Sequence, residues 1–156
     1  MNCVPGDSSL QMASAGLAEV RRIGPFAVET RPEAVAAFRR ETGWPEDAGS
    51  ANTHVPVTFA FCWLTLPEIR PALLQAMMPG EDWIPVHEGQ TFDYARMLET
   101  GQTYSMVVDI HREAKPARLV MRASITSLAD EPCAVLETVL RLVVRNNPEP
   151  SPEPSP

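Results

Sequence analysis

TYSMVVDIHR (residues 103–112), ARLVMRASITS (117–127) and CAVLETVLRLVVR (133–145) are the stretches whose reading decides the fold. Each alternates with a period of two, the spacing at which successive side chains of an extended chain point to opposite faces. In the first, Tyr104, Met106, Val108 and Ile110 share one face, and Ser105, Val107, Asp109 and His111 take the other. In the last, Leu136, Leu140, Leu142 and Val144 face inward beside Thr138, while Glu137, Arg141 and Arg145 point out. Just upstream, HEGQTFDYARM (87–97) supplies a fourth candidate strand. The links Glu99-Thr-Gly-Gln, Glu113-Ala-Lys-Pro and Asp130-Glu-Pro are built from turn formers. They are too short for the crossover that parallel neighbours need, so the four strands form an antiparallel meander.

Upstream of the strands the period becomes helical. Thr30 precedes Arg31-Pro32-Glu33, a sequence that fits a capping box between Thr30 and Glu33. A helix over 31–41 follows, with Ala34, Val35, Ala37 and Phe38 as its apolar face, and Gly43 ends it. The run VPVTFAFCWL (55–64) leads into LPEIRPALLQAMM (66–78), apolar nearly all round. A buried helix is expected there, with Pro67 and Pro71 limiting it to short or broken pieces and Pro79-Gly80 stopping it. Helix, buried apolar helix and four meandering strands describe an α+β domain with one sheet wrapped around a central helix. Several layouts share that outline.

The chain has 156 residues, 44% of them hydrophobic, which suits one globular domain. Residues 1–16 and the Pro/Glu/Ser tail 146–156 read as disordered, leaving 17–145 as the single folded domain. Thirteen basic against twenty acidic residues give a formal charge of −7, which argues against nucleic acid or an anionic membrane as partner. No apolar run is long enough to span a membrane and no secretory signal is visible, so a cytoplasmic protein is expected. Cys62 and Cys133 lie in or beside apolar runs and read as reduced core thiols, with Cys3 exposed. The three histidines and the carboxylates show no ligand spacing, so neither a metal nor an organic cofactor is expected.

Three segments, VPVTFAF (55–61), HEGQTFDYARMLETGQT (87–103) and CAVLETVLRLVVR (133–145), carry a resemblance. Together they resemble the N-terminal-half type of MaoC-like dehydratase, over about residues 23–145. The spacing of His87, Gln90, Phe92, Tyr94, Arg96, Leu98 and Gly101 matches that type's strand pattern, while Met97 and Gln102 depart from its usual Pro and Asp. The segment GWPEDAGSANTH (43–54) lacks the H-P-x-Y-x-D stretch common there.

The resemblance implies a hotdog fold, an antiparallel sheet wrapped around a central helix. It also implies an acyl thioester of coenzyme A or acyl carrier protein as ligand. Active members interconvert (3R)-hydroxyacyl and trans-2-enoyl thioesters with an Asp and a His in D-x-N-P-I/L-H. The nearest match here is Asp82-Trp-Ile-Pro-Val-His87, in which Ile84 replaces the Asn and a strand pattern follows where the active motif precedes a helix. Asp82 and His87 are therefore the candidate dyad of a self-sufficient homodimeric hydratase. The favoured expectation is instead the non-catalytic half, shaping an acyl tunnel with Phe59, Phe61, Trp63 and Met77 while a catalytic hotdog subunit supplies the dyad. A hotdog thioesterase is a third alternative, for which Glu68 is the only carboxylate on the apolar helix. His54 reads as a loop residue, His111 as an electrostatic neighbour of Asp109, and Arg96 as an anchor at the sheet edge.

Overall fold

The computed structural model describes residues 20–44, 54–77 and 83–144. The expected terminal tails, Cys3, the Pro79-Gly80 stop and Arg145 lie outside them. Strand β1 (Arg21–Glu29) leads into helix α1 (Pro32–Glu41). A 3-10 helix (Phe59–Thr65) and helix α2 (Arg70–Met77) follow, then β2 (Trp83–Tyr94), β3 (Thr103–Ala114), β4 (Ala117–Ser127) and β5 (Pro132–Val144). The five strands form one antiparallel sheet in the order β1-β3-β4-β5-β2, so β1 and β2 are its edges.

The inner face of the sheet is the one read from the alternation. Val108, Ala123, Leu136 and Phe92 form one cross-strand row, and Ile110, Met121, Thr138 and Gln90 the next. These rows pack beneath Phe59, Trp63 and Leu64 of the 3-10 helix, Ile69 at the joint and Leu73 of α2, all of which belong to the core. The predicted helix over 31–41 and the broken helical pieces after Val55 are present, and Gly43, with φ +68°, ends α1 as only glycine does readily.

Several expectations are corrected. Strand β1 has no counterpart in the sequence reading, because Gly24-Pro25 breaks its alternation. Its register with β3 shifts between Ile23 and Phe26, and Gly24 has φ +103°, where a Cβ would stand 2.9 Å from the Met106 carbonyl oxygen. Thr30 does not form the capping box, and α1 has no side-chain cap. Its hydroxyl donates to the Glu99 carbonyl at 2.6 Å and accepts from the Gln102 amide at 2.9 Å, which ties the end of β1 to the β2–β3 turn. Thr30 is fully buried. Thr30→Val keeps the shape but removes these bonds, and is expected to cost about 1–3 kcal/mol in chemical denaturation.

The fully buried helical surface belongs to the 3-10 helix, whereas α2 leaves Arg70, Leu74 and Gln75 exposed. Strand β2 begins at Trp83 rather than His87 and ends at Tyr94 rather than Met97. Its pairing stops where the Ala95 and Arg96 amides both turn to the Cys133 carbonyl. Val144 shares the inner-face register of Leu140 and Leu142 but is exposed at the end of β5. Asp109 engages Arg22 of β1 in a two-pronged ion pair (2.6 and 2.7 Å) and not His111, because strand register brings Arg22 directly opposite it. Cys133 is buried, Cys62 half-buried, and both are free thiols. Arg96 pairs with Glu131 at 2.8 Å, on the other side of the β5 entry.

Candidate functional site

His87 owes its position to an irregularity in β2. Counting back from Gln90, which faces inward opposite Thr138, a regular strand would put Gly89 and His87 on the outer face and Glu88 on the inner. A bulge between His87 and Gly89 shifts the register by one, so that His87 lies opposite Leu140 on the inner face. Its imidazole sits 6.0 Å, ring centre to ring centre, from Phe61 of the 3-10 helix. Glu88 is left on the outer face, where its carboxylate accepts from Arg118 of β4 (2.7 Å) and from Arg141 of β5 (2.9 and 3.2 Å).

This clamp explains why the bulge has one arrangement. Arg118 and Arg141 are directly opposite each other, a like-charge pair that disfavours the sheet unless an anion lies between them. The two guanidinium groups hold the Glu88 carboxyl far below the usual carboxylate range. A depressed folded pKa contributes stability above the unfolded value of about 4.3 and loses it as pH falls towards the folded value. Glu88→Gln is therefore expected to be less stable than wild type by an amount that is constant above about pH 4.5 and shrinks below it. In the same variant the His87 ring protons should lose their Phe61 ring-current shift in NMR spectra. An unchanged His87 spectrum would show that the clamp does not orient it.

Beside His87 an apolar groove of about 360 Å³ opens between the short helices and the sheet. Phe61 and Leu64 of the 3-10 helix, Leu73 and Leu74 of α2, and Met121 and Leu140 of the sheet form its walls. Its polar lining residues are Thr65, Arg70 and Thr138, and Thr138 donates to Gln90 at 2.7 Å. Among the described residues, no carboxylate or histidine lines the groove.

Of the expected tunnel residues, the three whose side chains are described do not line one cavity. Phe61 lines the groove, whereas Phe59 and Trp63 are buried in edge-to-face contact and line a different cavity, of about 510 Å³, on the α1 side. Successive positions of a 3-10 helix point in different directions, so neighbours in this run serve opposite sides. The side chain of Met77 and the whole of Asp82 lie outside the described residues, so the Asp82/His87 pair has no geometry here. What is described is that Trp83-Ile-Pro-Val-His87 is extended and paired with β5. Glu68 falls in the turn before α2 and lines the α1-side cavity. His54 forms an isolated bridge to Glu99 and does not line the groove. Leu140 was legible as an inward residue but not as a groove wall, since that requires knowing what packs over it.

Tyr94 fixes the helical layer to the edge strand by donating to the Val57 carbonyl at 2.6 Å. Burial pushes its pKa up to about 12. Stability from this raised value is fully present below the unfolded value of about 10 and is lost as pH rises towards 12. Among the described residues, no group of three or more His, Cys, Asp or Glu is placed to hold a metal ion, and no helix is long and apolar enough to cross a membrane.

No protein-family model matches the sequence. No curated protein matches it either. Solved structures do. A chain of the C-terminally truncated HadBC (3R-hydroxyacyl-ACP dehydratase) complex from Mycobacterium tuberculosis superposes with a TM-score of 0.60 at 19% identity, covering 79% of this chain and 95% of that one. A hot-dog-like protein from Thermanaerovibrio acidaminovorans gives 0.55 at 12% identity, over 82% of this chain and 83% of its own. The chain has the hotdog fold. A MaoC-like dehydratase gives 0.64 at 17% identity, with 84% of this hotdog covered but 43% of the larger chain. The expected fold class, an α+β hotdog, is therefore the observed one, and its structural neighbours include the MaoC-like dehydratases.

Proposed function

We propose that this hotdog is the non-catalytic, groove-shaping half of a MaoC-like dehydratase that interconverts (3R)-hydroxyacyl and trans-2-enoyl thioesters of coenzyme A or acyl carrier protein. The observation that carries the reading is the groove itself. It is apolar, has the volume of a small-molecule site, and among the described residues its lining carries no group able to move the C2 proton. Arg70, at its rim, offers a cation for a phosphate-bearing carrier. The partner is a second hotdog carrying D-x-N-P-I-H. Strand β2 is an edge, and Ile84, Val86 and Val143 beside it are exposed apolar side chains, a surface that association covers.

The inward turn of His87 favours a second reading, a homodimeric hydratase in which Asp82 and His87 act together. Hydration of a crotonyl thioester by the purified chain, alone and mixed with a hotdog chain bearing the full motif, separates the two. The proposal expects no turnover alone and turnover in the mixture. Turnover by the chain alone supports the homodimer, and a mixture that neither associates nor turns over contradicts the proposal.

A further inference from the structure

The larger cavity, on the α1 side, has a chemistry unlike that of the groove. Its walls are aromatic and aliphatic: Phe38 of α1 meets Phe59 edge to face, and Phe59 meets Trp63. Its mouth is acidic. Glu29 of β1, Glu41 of α1 and Glu68 of the turn before α2 line it, and among the described lining residues the single cation is Arg31, which pairs with Glu29 at 3.4 Å. Glu41 and Glu68 are exposed, so their charge faces an incoming ligand. The Cys62 thiol on the wall registers this environment, since burial first and the nearby Glu41 also push its pKa up, and it stays a neutral thiol.

An anionic thioester carrier is repelled here, whereas an apolar cavity with carboxylates at its mouth attracts a cation that carries an apolar body. We infer that the cavity between α1 and the 3-10 helix is a second ligand site, taking a small organic cation with an apolar body, its ammonium or amidinium group at Glu41 and Glu68. The volume of about 510 Å³ fits such a molecule whole. The inference is independent of the dehydratase proposal.

The test is calorimetric titration of the full chain with hexylammonium, hexanol and hexanoate at physiological salt. Saturable one-to-one binding of hexylammonium is expected, roughly tenfold tighter than hexanol, with hexanoate weakest. Glu41→Gln/Glu68→Gln should bring hexylammonium down to the hexanol level. Because both residues are exposed, the double variant is expected to fold, which circular dichroism checks. In the unmodified protein, hexylammonium should also slow iodoacetamide labelling of Cys62, located by peptide mass, without changing that of Cys3. Equal binding of all three probes, no binding, or no protection of Cys62 overturns the inference.

Discussion

Ile69→Ala is expected to destabilise the protein by about 2–5 kcal/mol, read from the midpoint of chemical denaturation at unchanged slope. Ile69 is fully buried at the joint between the 3-10 helix and α2. Its amide donates to Leu66 and its carbonyl accepts from Leu73, so it sets the direction in which α2 leaves the joint. Truncation leaves a cavity that the short, proline-flanked α2 cannot fill by shifting as a rigid piece, since α2 has few other contacts with the core. Leu73 and Leu74, on one wall of the groove, depend on that joint. The loss should therefore extend to ligand binding as well as stability, and a variant with wild-type stability would show that α2 is held elsewhere.

Leu74→Trp should impair long acyl chains selectively. Leu74 lines the groove yet is 48% exposed, so a larger side chain enters the mouth without overpacking the core. Each methylene kept out of the groove forfeits about 0.8 kcal/mol, or roughly fourfold in affinity. Excluding two or more gives a weakening of roughly tenfold or beyond for a long-chain acyl thioester, with the short crotonyl thioester unaffected. Calorimetry with the two ligands measures the split. Equal weakening of both, or of neither, places the acyl chain outside this groove.

Most of the sheet was legible in the sequence because alternation in residues 103–145 is nearly unbroken and the turns are spelled out by Gly101, Lys115-Pro116 and Asp130. Where local signals yielded to distant partners, the reading failed. Strand β1 is held by its ladder to β3 across the Gly24-Pro25 interruption, and no local pattern records that ladder. Thr30 looks like a helix cap beside Pro32, but the turn at Gln102 claims its hydroxyl. Asp109 lies two positions from His111 in the strand, yet its charge is taken by Arg22 from another strand. A period-two count puts His87 on the outer face, and the bulge that turns it inward is stabilised by arginines thirty and fifty-three residues further along the chain. Phe59, Phe61 and Trp63 were rightly read as apolar interior, but which cavity each lines depends on 3-10 geometry that composition does not specify.

In the proposed role, this hotdog shapes a groove and leaves the acid–base chemistry to a partner. The most direct measurement is the crotonyl-thioester hydration rate of the complex with His87→Ala in this chain. A rate within about twofold of wild type is expected, since no transition-state interaction is removed. A fall of roughly a hundredfold or more, the usual scale for losing a general acid or base, would contradict it and make His87 a catalytic residue.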